Sequence, residues 1–177
     1  MPRTLPPGER HNITVEDLRP NGFVTVRGTT YKVTRRHRYV ENYKQKTWTS
    51  YELELVSLTD DSRTWLEFED DDGLQISLST KEQSLSTVGV TEDQIKEWVD
   101  EEEGGFRFEG RTYEYDDDGK VQFFKDDGDE SEEYYYADFD AGGHSVGFER
   151  WDRRWKATIC ENVRSNEIEI LVKGGGE

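Results

Sequence analysis

Two runs of this chain combine cations with aromatic rings, and each has the chemistry of a recognition surface. The first is Arg35, Arg36, His37, Arg38, Lys44 and Lys46, with Tyr39, Tyr43 and Trp48 among or beside them. Cationic side chains contact phosphates and ring faces stack on bases. The same residues also suit an edge hairpin defended by charge against aggregation, or a surface that docks the acidic second half of another copy. The structural reading ranks first, protein docking second and nucleic acid third. The second run is Glu149, Arg150, Trp151, Arg153, Arg154 and Trp155. Arginines beside exposed tryptophans form recognition surfaces, but a strand whose tryptophans fill a core while its arginines snorkel gives the same pattern. These two readings weigh evenly. Binding is therefore assigned to Arg35, Arg36, Arg38, Tyr39, Tyr43 and Trp48 and to the six residues of the second run. Reversing the charge of Arg35, Arg36 and Arg38 together is expected to abolish partner binding and leave folding intact.

Other chemistry finds less support. Glu114, Asp116, Asp118 and Gly119 fit the opening of a calcium loop, but Lys125 stands where the closing bidentate carboxylate belongs. A hairpin turn is the better reading of Asp116-Asp117-Asp118-Gly119. His11, His37 and His144 have no cysteine or histidine at ligand spacing and read as solvated. No nucleophile elbow, phosphate-binding loop or dinucleotide fingerprint is present. Carboxylate pairs such as Glu67 with Glu69 support acid–base work only if buried together, and among forty acidic residues chance pairs abound. No catalytic residue, metal site or cofactor is therefore assigned. An enzyme acting on a small polar substrate stays as a rival, to be recognised by a deep pocket lined by Glu67, Glu69 or Glu149 with raised pKa values. The single Cys160 excludes an intramolecular disulfide, and its apolar neighbours make it a small core residue.

The charge balance narrows the partners. The net charge is −17, and the excess lies late: residues 1–90 carry 12 basic and 14 acidic side chains, residues 91–177 carry 11 and 26. Such a chain repels phosphate backbones and anionic membranes. With more arginine than lysine (14 against 9), it reads as adapted to a salt-rich cytoplasm. Twenty-two aromatic residues supply a core and argue against disorder. Met1–Arg10 has no apolar signal core, and no run reaches membrane-spanning length, so a cytoplasmic protein without membrane insertion is expected.

Strands must position these residues. Val24–Val33 and Phe106–Tyr115 both read apolar-x-apolar-x-Gly-x-Thr-Tyr-x-apolar, with Gly28/Gly110, Thr30/Thr112 and Tyr31/Tyr113 identical. From Trp48, Tyr51, Leu53 and Leu55 share one strand face, Glu52 and Glu54 the other. Asp70-Asp71-Asp72-Gly73 signals a hairpin between Trp65–Glu69 and Leu74–Leu78. A helix is expected from Thr91 to about Glu103, with a Thr91/Gln94 capping box and a stop at Gly104-Gly105. The fold class is mainly β: two related strand-rich halves, curved sheets or half-open barrels from an internal repeat, linked by one short α-helix. The boundaries are a disordered leader over 1–12, a first repeat over 13–88, the helix over 89–104, a second repeat over 105–172 and a flexible tail over 173–177.

The order of these features resembles the uncharacterised family numbered 4178 among domains of unknown function. The resemblance rests on Gly28 to Tyr31, on Trp48-x-x-Tyr51-x-Leu53, and on Trp65-Leu66 with Glu69. It continues with Gly110 to Tyr113, Tyr136-x-Asp138 and Glu149-Arg150-Trp151, covering about residues 16–172. It implies no established activity. It does imply neighbourhood with membrane-stress, phage-shock-type proteins. The expected role is a non-enzymatic cytosolic binding or adaptor module with a protein partner, homo-oligomerisation being open. A single-stranded nucleic-acid binder is the remaining alternative.

Overall fold

The computed structural model describes residues 4–6 and 14–175. Most of the expected leader, including His11, lies outside the described residues; within it, the Leu5 N–H donates to the Leu171 carbonyl at 2.7 Å. Eleven strands follow: β1 (Phe23–Val26), β2 (Thr29–Tyr43), β3 (Lys46–Ser57), β4 (Arg63–Asp70), β5 (Leu74–Gln83), β6 (Gly105–Phe108), β7 (Arg111–Phe124), β8 (Glu132–Asp140), β9 (His144–Trp151), β10 (Arg154–Val163) and β11 (Ile168–Val172). Two helices, α1 (Leu85–Val88) and α2 (Glu92–Glu101), stand between β5 and β6.

Tight turns set the register. The two-residue links Arg27-Gly28, Lys44-Gln45, Glu109-Gly110 and Asp152-Arg153 all have positive φ at both positions. That geometry matches the twist of the strands it joins and explains the echoing glycines, since Gly28 and Gly110 adopt it without a Cβ penalty. The β4–β5 hairpin turns at Asp71-Asp72-Gly73, as expected. The second acidic run does not turn. Strand β7 passes straight through Asp116–Gly119, with an irregularity between Tyr115 and Asp117 where it pairs with β8. A bulge absorbs one residue and keeps the strand paired, which a sequence reading of Asp-Asp-Asp-Gly mistakes for a turn.

The strands expected in two sheets form one antiparallel sheet in the order β11-β1-β2-β3-β4-β5-β10-β9-β8-β7-β6. Strand β7 then returns against β2 through Arg38–Phe124, Tyr39–Phe123 and Val40–Gln122. Eight strands thus run round a ring that is only partly zipped at this seam. The length of β2 makes this possible, because its first residues pair with β1 and its later ones with β7.

Apolar residues pack on the outer face of the ring. Leu53, Leu55, Leu66 and Val33 lie under β1, β11 and the 3-10 turn Val15–Asp17, whose Leu18 is fully buried. Phe139, Val146, Phe148 and Ala157 form a second core under β6 and α2, through Phe106, Ile95 and Trp98. Helix α2 begins with the expected Thr91/Gln94 capping box. It ends earlier than Gly104, at Glu102 in a left-handed conformation, and Gly104 instead presses against the Trp98 ring.

Candidate functional site

Strand alternation gives the ring an inner face as well as an outer one. Where Leu53 and Leu66 point to the first core, Glu52 and Glu67 point the other way. The inner face encloses a cavity of about 550 Å³. Its wall carries eight carboxylates: Glu41 from β2, Glu67 and Glu69 from β4, Asp116 and Asp117 from β7, Asp138 and Asp140 from β8, and Glu149 from β9. No lysine, arginine or histidine shares that wall among the described residues. Tyr39, Trp48, Tyr134 and Tyr136 supply aromatic surface. Asp116, Asp117 and Asp140 are exposed at the solvent side, while Glu67, Asp138 and Glu149 lie deeper.

One ammonium stands behind this wall. Lys81 of β5 lies 3.1 Å from Glu67 Oε1 and 3.8 Å from Glu149 Oε1, and makes a short contact with Glu52. It also donates to the Tyr39 hydroxyl at 3.2 Å, and that hydroxyl donates to Glu52 Oε2 at 3.0 Å. Glu52 is only 2 % exposed. Burial drives its pKa up to about 8 against the pull of Lys81. Burial acts on Glu67 in the same sense, but Lys81 and the hydrogen bond with Glu52 outweigh it and hold Glu67 below the ordinary carboxylate range. Burial also opposes the Lys81 charge, yet Glu52, Glu67 and Glu149 together raise it well above an ordinary lysine. The group is therefore an ammonium held among buried carboxyl groups, with burial pushing Glu52 up and Lys81 holding Glu67 down.

A second group has no such cation. The Tyr136 hydroxyl lies 2.6 Å from Glu41 Oε1 and 2.8 Å from Asp117 Oδ2. One hydroxyl proton cannot serve both carboxylates. Glu41 is raised by burial and by Asp117, against the Tyr136 bond. Among the described residues no side chain or backbone donor reaches Glu69, Asp116 or Asp138. Burial raises all three, reinforced by neighbouring carboxylates, and Asp138 most of all. A Cβ on Gly147 would stand 2.9 Å from Asp138 Oδ1, so the glycine makes room for that carboxylate.

The family model described as a domain of unknown function (DUF4178) matches residues 19–165. The chain belongs to this family. No curated protein and no solved structure matches it. The DUF4178 family thus supplies a kinship and no activity, and the site must be read from its own geometry.

The residues singled out from the sequence divide between the two faces of the DUF4178 ring. Tyr39, Trp48 and Glu149 line the cavity, as do Glu67 and Glu69 of the enzyme rival. Arg36 and Arg38 lie on the opposite face of β2 from Tyr39, and all three arginines of the first run are engaged by the chain's own acidic loop. Arg36 is 8 % exposed, pairs with Asp127 at 2.9 Å and lies 4.0 Å over the Tyr51 ring. Arg38 pairs with the same Asp127 at 3.0 Å, and Arg35 approaches Asp126 at 3.9 Å. His37, expected in solvent, is buried and accepts the Asp126 N–H at Nδ1, because the 3-10 turn Lys125–Asp127 folds over it. Tyr43 is exposed at the β2–β3 hairpin.

In the second run, Trp151 stacks on Tyr134 at 4.3 Å and its indole N–H donates to Glu149 at 3.0 Å. Trp155 packs against the second core, and the exposed Arg150 lies over the Tyr135 and Trp155 rings. Arg153 and Arg154 are exposed at the β9–β10 turn. Sequence reasoning missed Lys81, Glu52, Glu41, Tyr136 and Asp138. Their signals were an alternation in which the polar face carried carboxylates on strand after strand and, for Tyr136 and Asp138, a place in the Tyr136-x-Asp138 step of the family resemblance.

Proposed function

We propose that this chain is a non-enzymatic small-molecule-binding module whose site is the polar interior of the strand ring. The observation that carries the reading is the cavity of about 550 Å³, within the size range of small-molecule sites, with polar groups converging on it. Binding is favoured over catalysis by the state of the reactive groups. Lys81 is held as an ammonium by its carboxylates, and burial pushes the Cys160 thiol well up, so neither is an activated nucleophile. A deep pocket lined by Glu67, Glu69 and Glu149 does meet part of the enzyme rival's requirement, and burial raises Glu69, but Glu67 is held low by Lys81.

A thermal-shift screen of polar metabolites, run on the wild type and on the cavity-filling variant Ser77→Trp, tests the proposal. Stabilising compounds whose effect the variant loses are the expected result. Identical responses from the two proteins would overturn it.

Protein docking is the second reading, favoured by the exposure of Arg150, Arg153 and Arg154 beside Trp155. In that reading the cytosolic module serves a membrane-stress system, as its family resemblance implies, and reversal of those three charges abolishes capture of the partner at native salt. Residues 13–88 and 105–172 are read as related halves, supported by the matching β1–β2 and β6–β7 hairpins and by the symmetric seams β2–β7 and β5–β10. The acidic surface is read as salt adaptation.

A further inference from the structure

We infer that the cavity takes an aliphatic di- or polyamine, with one ammonium seated between Glu41, Asp117 and the Tyr136 hydroxyl. This rests on the cavity reading above and adds the chemical class of the ligand.

The wall already shows how it holds an ammonium. At Lys81, carboxylates and a tyrosine hydroxyl converge on one nitrogen: Glu52, Glu67 and Glu149 with Tyr39. Toward the solvent side the same components recur. Glu41 and Asp117 converge on the Tyr136 hydroxyl, which has one proton for two acceptors. No lysine or arginine enters this second group among the described residues. An ammonium brings three donors and a positive charge, which is what the two carboxylates lack.

The deeper wall points the same way. Asp138 is enclosed, faces the cavity across Gly147 and has no hydrogen-bond donor among the described residues. Buried polar groups are ordinarily satisfied, so an unsatisfied carboxylate in a cavity marks a place for a ligand donor. Glu69, half-buried on the same wall, also has no donor among the described residues. A neutral polyol would supply donors but would leave like charges facing one another. An anion would add to them. A compact metal ion needs three or more ligating groups around one point, and no such cluster occurs among the described residues. The carboxylates are instead spread along the cavity, and aromatic faces line the wall between them. That spacing suits a chain with charges at intervals and methylenes between, ammonium groups being attracted to ring faces as well as to carboxylates.

Calorimetric titration of the full chain at high potassium chloride, with 1,5-diaminopentane and spermidine as probes and 1,5-pentanediol as the neutral isostere, tests the inference. The expected result is saturable one-to-one binding of an amine and none of the diol. Asp117→Asn combined with Asp138→Asn should weaken it by about tenfold or more, the loss of at least one charge-assisted hydrogen bond. Asp129→Asn with Glu130→Gln, on the exposed loop, should leave it unchanged. The cavity substitutions relieve like-charge repulsion, so a thermal melt no lower than that of the wild type shows that they fold. Amine binding indifferent to the cavity pair but lost in the loop pair is surface condensation on an acidic protein and overturns the inference, as does the absence of amine binding. If the metabolite screen meanwhile yields neutral or anionic compounds sensitive to Ser77→Trp, the amine class falls and the cavity reading stands. If nothing is sensitive to Ser77→Trp, both fall.

Discussion

Lys81 shows at the residue scale how a polar interior is held together. Its charge is stranded behind the wall by burial and balanced by carboxylates from β3, β4 and β9. Removing one partner of a buried ion pair leaves the others uncompensated, so Lys81→Met should cost about 3–5 kcal/mol in urea denaturation. Glu52 carries a pH signature. Its pKa is about 8 in the folded chain against an ordinary 4.5, so the folded state binds this proton more tightly. Stability from this group is fully present below about pH 4.5 and is lost as pH rises toward about 8. Denaturation midpoints should therefore fall across that window, and Glu52→Gln should flatten the fall. An equal fall in the variant would place the effect on other groups, with Asp138, Glu41 and Glu69 next in line because burial raises them too.

At the scale of elements, tight turns and caps do most of the local work. The Thr91 side chain accepts the Gln94 N–H and the Gln94 side chain accepts the Thr91 N–H, so Thr91→Ala should destabilise the chain by about 1 kcal/mol. Helix α2 is short and covers the second core through Ile95 and Trp98, so hydrogen exchange should show the loss first in α2 and β6. The Lys125–Asp127 turn is the other element with a defined task. By placing Asp127 between Arg36 and Arg38 and Asp126 N–H on His37, it ties β7 to β2 at the ring seam. Asp127→Ala should cost about 1.5–3 kcal/mol, the loss of a hydrogen bond to a charged group, and should speed amide exchange at Tyr39 and Phe123. Reversing Arg36 sets a carboxylate against Asp127, so the triple arginine reversal perturbs folding and is not a clean docking test.

For the molecule as a whole, the ring determines the charge distribution that matters. A net charge of −17 makes the compact state repel itself, and the cavity gathers eight of the acidic side chains on one wall. Added salt should raise the melting temperature steadily, through screening of surface charges within about 10 Å at 0.1 M. A diamine bound in the cavity should raise it at far lower concentration, a difference that a melt series separates. Salt and diamine acting at equal ionic strength would show that the cavity has no special claim on amines.

Much of the local structure was legible in the chain. The paired Gly28 and Gly110 marked a turn or bulge in two echoing strands, Thr91 with Gln94 marked the start of a helix, and alternation in β3 separated Leu53 from Glu52. These signals rest on interactions between near neighbours, and so survive in a linear reading. The acidic run 116–119 misled it because a bulge and a turn draw on the same residues, and only pairing with β8 distinguishes them. Alternation also says which residues share a face, never what covers that face. A polar face of a lone sheet would meet solvent; here β2–β7 and β5–β10 bend it inward, so Glu52 and Asp138 become an interior and forty scattered acids contain eight that converge. The sequence by itself determined the strand-rich class, several of the turns and the family. Only tertiary closure, by pairing strands some eighty residues apart, decided that the polar face encloses a cavity.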